Sequence, residues 1–536
     1  MLLLFISIIS LLMVNFGMGL IVKNFLKTES QSFVMTSFLG ILSITFFQTI
    51  TAFFSPLNIF VESFFLILGL IGFLFLLKKK DFAYLDFRKN LNVWFCFLVV
   101  LIFFVGAFSP YLYDHYSYYT PTITFLKEVG FVKGISNLDL LLGQTSFWHI
   151  YQAGFSNILD EFMRINSYIL VLFLIYIYER RQWILLIFIP FFLLFIQQPS
   201  PDLPAFVIAL IVLSELLNNT DRKLLLYLSM FAFCIKPIMF WLPLLIILEY
   251  ICQRNFKFQI LIPVLAFGIL FTLKNIWLFG FPVFPVSAID FNLPWRPSQE
   301  ILNYSSQIGS MKSYDMHYSY QQIFDFNFWE RIYHWFTIGF KSILNLGIVL
   351  SVLILGFLAL KKRDRFYTLI FIGILIKFIL IVIFSAQYRF FIDVYLITLF
   401  IVFKNISEVR VIFISIVFSV LIGVIFTFPG FVKGKSHMGK WMSGFQMSQM
   451  IKPTEFKSEN PRSYQLGNLK FNATKGLIDK TQFPTLSLYW LHTYQYYNIF
   501  PQVSDNGFIQ KKLSKKEKIE LQEIIDDLER SKSKIP

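Results

Sequence analysis

A single carboxylate surrounded by tyrosines is a candidate group for acid–base chemistry. Asp114 stands within residues 109–119, which read SPYLYDHYSYY and directly follow an apolar run. A carboxylate at the end of an apolar helix is partly desolvated, which raises its pKa and makes it a better general base. It could equally bind a divalent cation such as Mg²⁺ or Mn²⁺, or simply cap the helix that follows. His115, Tyr118 and Tyr119 follow it within an aromatic stretch of the kind expected at any membrane interface.

Two further stretches offer polar groups. Residues 143–149 read GQTSFWH, a polar and aromatic mixture that is common in sugar-contacting sites but not specific to them. Trp148 and His149 are therefore candidate ligand contacts. The short loop 198–203 reads QPSPDL and places another carboxylate, Asp202, just before an apolar run.

Basic residues within apolar segments form the third group of candidates, because such charges are costly in a membrane and are usually functional. Lys377 lies near the middle of its apolar run, and Lys274 lies near the end of another. Arg389 follows a short turn and precedes Asp393. Cations in this position could hold a lipid phosphate. The alternative is an internal ion pair, either Lys377–Asp393 or Arg389–Asp393, and both interpretations stay open.

These residues are carried by a chain that is too apolar to be soluble. Of its 536 residues, 56% are hydrophobic and 15% are charged, and the mean hydropathy is +0.64. Soluble domains carry roughly 25% charged residues, and a soluble fold cannot bury this much apolar surface. The composition predicts an integral membrane protein. Cys96, Cys234 and Cys252 have no metal or redox spacing, so we expect them to be packing residues in the membrane.

Because a spanning helix needs about 20 mostly apolar residues, fourteen apolar segments are candidate membrane helices. The sequence therefore predicts an all-α polytopic membrane protein with about fourteen transmembrane helices. The first segment lacks a basic region before it, so we expect it to be retained rather than cleaved as a signal peptide. The fourteen segments are 2–22, 33–54, 57–77, 91–109, 162–178, 183–197, 203–217, 223–235, 237–251, 259–279, 343–360, 366–385, 389–403 and 411–429.

Alternate loops between these segments hold most of the basic residues. The short loops on the other side hold two, Lys236 and Arg389. Lys and Arg are retained in cytoplasmic loops, so the alternation predicts that the N-terminus and everything after residue 430 are extracytoplasmic. It also accounts for most of the net charge of +15, so we do not expect nucleic acid as a partner. The nineteen basic residues of the alternate loops are Lys23, Lys27, Lys78, Lys79, Lys80, Arg88, Lys89, Arg180, Arg181, Arg222, Lys223, Arg254, Lys257, Lys361, Lys362, Arg363, Arg365, Lys404 and Arg410.

The long non-membrane segments all fall on the predicted outer side. They are the loops 110–161 and 280–342 and the tail 431–536. Irregular backbone cannot be satisfied in lipid, so we expect these segments to fold against one another beyond the helices.

The tail is expected to be a small extracytoplasmic domain. Residues 514–530 are predicted to form an amphipathic helix that begins with a capping box of Ser514 and Glu517. Residues 481–503 are aromatic and β-prone, which is typical of strands.

Three motifs occur in order along the chain: Asp114 with Tyr118 and Tyr119, then Gly143, Ser146 and Trp148, then Asn275, Gly280, Pro282 and Pro285. Together they resemble the GT-C superfamily, which consists of polytopic glycosyltransferases that use polyprenyl-phosphate sugar donors. The resemblance covers roughly residues 90–430 and points to a poorly characterised bacterial branch. The chain departs from that branch in two ways. Thr120 stands where members often have His, and the acidic motif is a single Asp.

The resemblance implies a fold and a reaction. Residues 1–90 would be additional N-terminal helices, 91–430 the GT-C-like module, and 431–536 the extracytoplasmic domain. Asp114 would be the catalytic base, and a sugar would pass with inversion from a polyprenyl-phosphate donor to a glycan, lipid or protein acceptor. The protein would work among the lipids of the bacterial inner membrane, with no certain cofactor and with a divalent cation as an alternative. The implied substrate-binding residues are His115, Tyr118, Tyr119, Trp148, His149, Asp202, Lys274, Lys377 and Arg389.

Three other functions stay open. A flippase or other transporter of lipid-linked glycans would line its helices with charges, which are few here. A polymerase or ligase would carry Arg-rich outer loops, whereas 280–342 holds Arg296 and Arg331 with two lysines. A non-catalytic integral membrane subunit of an envelope complex is the third.

Overall fold

The chain folds into a mostly helical structure with a small sheet region near the C-terminus. The computed structural model describes residues 1–28, 31–79, 82–218, 221–253, 258–432, 441–455, 461–475 and 481–530. Lys80, Arg254 and Lys257, which contribute to the charge alternation, lie outside the described residues. The helices of the first half are α1 (Leu2–Leu26), α2 (Phe33–Ala52), α3 (Ile59–Lys79), α4 (Val93–Gly106), α5 (Thr120–Glu128), α6 (Phe147–Ala153), α7 (Ile165–Arg180), α8 (Ile189–Phe192), α9 (Asp202–Leu217), α10 (Arg222–Ile235), α11 (Trp241–Cys252) and α12 (Leu261–Phe279).

The second half adds loop helices, four long or medium helices and the tail. Its helices are α13 (Gln299–Ser313), α14 (Tyr320–Asp325), α15 (Phe328–Thr337), α16 (Lys341–Lys362), α17 (Arg365–Phe384), α18 (Ile392–Phe403), α19 (Glu408–Thr427), α20 (Leu488–Tyr497) and α21 (Lys515–Arg530). The strands are β1 (Arg462–Leu466), β2 (Leu469–Thr474), β3 (Thr485–Ser487), β4 (Ile499–Ser504) and β5 (Gly507–Lys512).

Seven helices within the described residues are long and apolar enough to cross a membrane, namely α1, α2, α3, α12, α16, α17 and α19. An eighth is counted if α4 is joined to the turn Ala83–Asn90, from which it is bent by 99°. The structure is therefore compatible with a multi-pass membrane protein, but fourteen spans are not confirmed. The other predicted segments are helical over fewer residues than a span needs.

The short helices have a physical explanation in their burial. Every side chain of α7 from Ile165 to Tyr178 is buried, as is every side chain of α9 from Leu203 to Leu216. Segment 183–197 is broken into two 3₁₀ turns on either side of α8. Interrupted helices are tolerated where the freed backbone is covered by protein rather than lipid. Apolar content alone cannot distinguish such central helices from full spans.

The first three helices pack unusually closely through glycines. A Cβ atom on Gly40 of α2 would lie 1.8 Å from the carbonyl oxygen of Asn15 in α1, and one on Gly17 would lie 1.9 Å from the carbonyl oxygen of Gly69 in α3. Only glycine permits backbones to approach this far, as in other closely packed membrane helices. At the start of α3, both oxygens of buried Glu62 accept N–H groups of the loop 157–159. The N-terminal helices thereby hold the first long loop.

The long loops and the tail contact one another, as expected from the sequence. The side chain of Asn137 in the first loop donates to the carbonyls of Trp295 in the second loop and Phe508 in the tail, both at 2.7 Å. The Tyr494 hydroxyl of α20 donates to the Asn137 carbonyl at 2.7 Å. The N–H of Thr454 donates to the carbonyl of Ala107, just after α4. These contacts cover the end of the helical bundle at which α4 ends.

The tail holds two small sheets. In one, β2 pairs with β1 antiparallel and with β3 parallel, and in the other β4 pairs with β5 antiparallel. The predicted C-terminal helix is confirmed as α21, which begins with the reciprocal Ser514 and Glu517 bonds and buries its predicted apolar face. The prediction of strands over 481–503 is partly wrong, because Leu488–Tyr497 is the helix α20. Ser487 caps this helix by accepting the N–H of Trp490, a local bond that overrides the β-propensity of its aromatic residues.

Candidate functional site

Two carboxylates and three cations meet at one end of the bundle, and we call these five residues the charged cluster. Asp114 comes eight residues after α4 ends, and Asp202 is the first residue of α9. Lys236 directly follows α10, Lys312 lies in the last turn of α13, and Arg389 lies in the 3₁₀ turn Tyr388–Phe391 before α18. Arg222, which is one of the basic residues of the alternate loops, is the first residue of α10. Lys236 lies at the opposite end of that helix.

The cluster contains two ion pairs that differ in exposure. Arg389 Nη1 lies 3.8 Å from Asp114 Oδ2, and these side chains are 46% and 39% exposed. Lys236 pairs with Asp202, and both side chains are more shielded. The ring of Phe390 lies between the pairs, with Arg389 5.2 Å and Lys236 5.9 Å from its centroid. The Asp114–Arg389 pair is therefore the one that a ligand can reach.

The surroundings make Asp114 a stronger base than an ordinary aspartate. Limited hydration within the surrounding protein raises the pKa of Asp114, the nearby Arg389 opposes this, and the negative charge of Asp202 raises the pKa again. Lys312 and Lys236 act in the same direction as Arg389. The pKa of the Asp114 carboxyl therefore depends on several nearby charges, and a bound anion would change it.

A short π-helix positions the aromatic residues after Asp114. Residues 115–119 form this turn, in which the N–H of Thr120 donates to the carbonyl of His115. Single π-turns within helices are rare and occur frequently at functional sites. The turn is held by the Tyr116 hydroxyl, which donates to the Pro110 carbonyl at 3.0 Å.

The predicted residues Tyr118, Tyr119 and His149 lie together beside the charged cluster. The Tyr119 ring lies 4.6 Å from that of Tyr118 and 4.9 Å from that of His149, measured between centroids. Burial lowers the pKa of His149 to about 3, so its imidazole is neutral at physiological pH. The hydroxyl of Ser200 lies 3.4 Å from Oδ2 of Asp202, the second carboxylate of the cluster. Burial also raises the pKa of Tyr118 and of Tyr119, so both hydroxyls stay protonated.

The motif of Gly143, Ser146 and Trp148 is linked by hydrogen bonds to the segments that carry Lys236 and Asp202. The Ser146 hydroxyl donates to the carbonyl of Ile235 at 2.7 Å, directly before Lys236. Trp148 is fully buried, so the structure does not bring its ring to the cluster. Its indole N–H donates to Asn166 Oδ1 at 2.7 Å, and the Asn166 amide donates to the Ser200 carbonyl at 3.0 Å.

This chain of bonds leads from the motif to both members of the Asp202–Lys236 pair. The structure therefore places Trp148 behind the Asp202–Lys236 pair, and its contact with a sugar stays a sequence prediction.

Two other predicted residues are held in structural contacts. Lys274 is fully buried, and its ammonium donates to the carbonyls of Gln144 and Thr145 at 3.2 and 2.6 Å. These carbonyls end the 3₁₀ turn Leu140–Gln144, so Lys274 caps that turn. His115 is buried, and its Nε2 lies 3.1 Å from the Thr120 hydroxyl. The structure thus joins His115 to the position at which the GT-C-like branch often has His.

Lys377 forms the internal ion pair that the sequence left as one of two interpretations. Its ammonium lies 2.6 Å from each carboxylate oxygen of Asp393, and the side chains are 0% and 1% exposed. The indole N–H of Trp241 donates to Asp393 Oδ2 at 2.8 Å. Arg389 contacts Asp114 and not Asp393 among the ion pairs of the described chain.

Sequence reasoning did not select Lys236, Lys312 or Phe390 as site residues. A signal for Lys236 existed, because Lys236 and Arg389 are the two basic residues in the short loops of the side that is otherwise poor in them. Both belong to the cluster.

The described residues contain no group of three or more His, Cys, Asp or Glu side chains that could hold a metal ion. Within the cluster, Asp114 and Asp202 each face a cation instead of a third acidic ligand. These residues do not fit a divalent cation site. The divalent cation stays a sequence prediction.

The fold and the cluster define a largely helical protein with the features of a multi-pass membrane protein and a charged site at one end of its bundle. Residues 1–396 match the family model described as a domain of unknown function, DUF8201. The chain therefore belongs to this family. The match includes α1 to α3 and all five cluster residues, and it ends before the tail. No curated protein and no solved structure matches the chain.

Proposed function

We propose that the protein is a membrane glycosyltransferase that moves a sugar from a polyprenyl-phosphate donor to an acceptor hydroxyl at the outer face of the bacterial inner membrane. The proposal combines the GT-C resemblance of the sequence with one observation of the structure. That observation is the exposed pair of Asp114 and Arg389. The Asp114 carboxylate has a raised pKa, and it lies at a distance of 3.8 Å from the Arg389 guanidinium. A general base and a phosphate-binding cation are the two groups that this transfer needs.

In the proposed reaction, the carboxylate of Asp114 takes the proton of the acceptor hydroxyl. The acceptor oxygen forms a bond to the anomeric carbon while the bond from that carbon to the phosphate oxygen breaks. The phosphate oxygen keeps the electron pair of the broken bond, and polyprenyl phosphate leaves with inversion at the sugar carbon.

The cations of the cluster would act on the charge that develops in this step. Negative charge grows on the phosphate as the glycosidic bond lengthens, and fixed cations stabilise it most in the transition state. Arg389 and Lys312 are the exposed cations beside Asp114. A guanidinium can bind phosphate oxygens in a bidentate manner. Tyr118 borders the same side and would pack against the sugar.

The proposal is tested by comparing Asp114→Asn with Asp315→Asn in vesicles that contain the purified protein. Asp315 is a matched control, because it is also a partly exposed aspartate paired with a cation, Lys341, but lies outside the cluster. The vesicles receive a panel of polyprenyl-phosphate monosaccharides labelled in the sugar, together with membrane glycans as acceptors. We expect label transfer from one donor to be lost in Asp114→Asn and kept in Asp315→Asn.

A second variant separates the base from the phosphate site. Arg389→Gln should weaken binding of polyprenyl phosphate at least tenfold, whereas neutral polyprenol should bind equally to both proteins. Full transfer by Asp114→Asn would remove this residue as the base. Equal affinity of Arg389→Gln and the parent protein for polyprenyl phosphate would remove Arg389 as the phosphate ligand.

A further inference from the structure

A row of exposed aromatic side chains lies on the second long loop, and we call it the aromatic face. None of its members is less than 60% exposed, and Trp329 is 72% exposed. They belong to α14, to α15 and to the turn before α16. The members are Phe324, Phe328, Trp329, Tyr333 and Phe340.

The helix α15 is amphipathic, and its orientation is fixed by Trp335, which lies at the edge of its aromatic arc. At 100° per residue, Phe328, Trp329 and Tyr333 fall within one arc of the helix, and Glu330 and Arg331 fall outside it. The buried Trp335 donates its indole N–H to the carbonyl of Ala386 at 2.9 Å.

The contacts of Trp335 attach α15 to the segment that carries Arg389. The side chain of Asn345 in α16 donates to the Trp335 carbonyl at 2.8 Å, which ties α15 to the next helix as well. These bonds anchor α15 at the edge of the aromatic face next to Phe328 and leave Trp329 and Tyr333 exposed.

The aromatic face continues directly into the apolar surface of a span. α16 begins at Lys341, is one of the seven span-capable helices, and exposes Ile343, Leu346 and Leu350. In the angle between α15 and α16 there is a hollow of about 340 Å³, lined by Phe336, Ser342, Ile343 and Leu346. Exposed aromatic residues level with the end of a span are typical of the membrane interface.

We propose that the aromatic face binds the membrane itself, so that α15 lies in the interfacial layer of the bilayer beside the charged cluster. The occupant is the lipid surface, because the exposed side chains are continuous with the lipid-facing side of α16. The arc outside the aromatic face carries one acidic and one basic residue, Glu330 and Arg331, so the attraction is apolar and not electrostatic. Through Trp335, this arrangement holds the segment of Arg389 at the height of the lipid headgroups. The inference is independent of the proposed transferase activity.

The test compares two adjacent positions on α15 by site-directed spin labelling. The parent chain has Cys96→Ser, Cys234→Ala and Cys252→Ser, and Trp329→Cys or Glu330→Cys is added and labelled with a nitroxide. The protein is reconstituted without substrate in phosphatidylcholine vesicles. At position 329 we expect the label to be more accessible to oxygen than to a water-soluble nickel complex, at a depth of about 5–10 Å. At position 330 we expect the label to be more accessible to the nickel complex than to oxygen.

The controls make each outcome decisive. Leu350→Cys supplies the lipid-exposed reference, and Phe328→Cys repeats the test if the Trp329 variant does not fold. High nickel accessibility at both 329 and 328 would overturn the proposal by placing the face in water. Low accessibility to both reagents would overturn it by showing that protein, such as a second copy, covers the face. A depth that depends on added phosphatidylglycerol would contradict the apolar basis of binding.

Discussion

The buried ion pair of Lys377 and Asp393 allows a direct test of what an unpaired buried charge costs in free energy of unfolding. Both oxygens of Asp393 lie 2.6 Å from the ammonium, and neither side chain is more than 1% exposed. Removing one partner of such a pair costs about 3–5 kcal/mol, because the other charge stays buried without compensation. Lys377→Met leaves Asp393 with the N–H of Trp241, and Asp393→Asn leaves an ammonium without a counter-charge. We expect each single variant to lose about 3–5 kcal/mol of unfolding free energy.

The double variant Lys377→Met with Asp393→Asn should behave differently. Both charges are then gone, and the asparagine oxygen can still accept the indole N–H of Trp241, which lies 2.8 Å from Asp393 Oδ2. Replacing both members of a buried pair by neutral groups is often neutral or stabilising. We therefore expect the double variant to be more stable than either single variant, and within about 1 kcal/mol of the parent protein.

The measurement is unfolding in mixed micelles of a mild detergent and SDS, followed by tryptophan fluorescence, for the parent and the three variants. A double variant less stable than both singles would refute the reasoning, because the charges would then act independently. Transfer activity distinguishes the two roles of Lys377. A stable double variant that has lost all transfer, while still binding acceptor, would restore Lys377 as a phosphate ligand.

Three further predictions concern groups at the same end of the bundle. The negative charge of Asp202 raises the pKa of Asp114, so Asp202→Asn should move the acidic limb of the transfer-rate profile to lower pH; a limb that stays in place would contradict this coupling. Asp114→Asn should bind polyprenyl phosphate at least as tightly as the parent protein in native mass spectrometry, because Arg389 loses its competing carboxylate; weaker binding would count against the cluster as a phosphate site. Burial raises the pKa of Asp139 to about 7, above its unfolded value, so its protonated form stabilises the fold and this contribution is lost as the pH rises from about 4 to about 7. Asp139→Asn should therefore raise the Tm at pH 8 and change it little at pH 4, whereas a lower Tm at pH 8 would contradict the assignment.

Hydropathy predicts the helical segments well and their lengths poorly. α16 and α17 are predicted within a few residues, because each is one continuous apolar helix that is long enough to cross a membrane. Residues 183–197 are equally apolar, yet they form three short turns of helix between neighbours. Whether an apolar run must span the membrane depends on what covers it, and that is a property of the assembled bundle.

Several members of the charged cluster can be predicted from the sequence, but the ion pairs between them cannot. Asp114, Asp202 and Arg389 can be selected because each is a charge at the end of an apolar run. Their pairing depends on which helix ends lie side by side, and those ends are far apart in the chain. The π-turn after Asp114 has no sequence signature, since its residues also suit an ordinary helix. The residue type of Trp148 suggests a sugar contact, but its burial and its bond to Asn166 depend on the assembled fold and could not be predicted from the sequence.

The long distance between the charged groups of Asp114 and Arg389 affects the proposed reaction. At 3.8 Å between Nη1 and Oδ2, the pair is longer than a hydrogen bond, and both groups remain exposed, so a phosphate can compete for the guanidinium. When Arg389 turns to the phosphate, Asp114 loses part of the positive charge that lowers its pKa and gains the nearby negative charge of the ligand. Both changes raise the pKa of the carboxyl and increase its strength as a base. Donor binding would thus prepare the base for the acceptor, whereas the more shielded Asp202–Lys236 pair would keep its charges in place throughout.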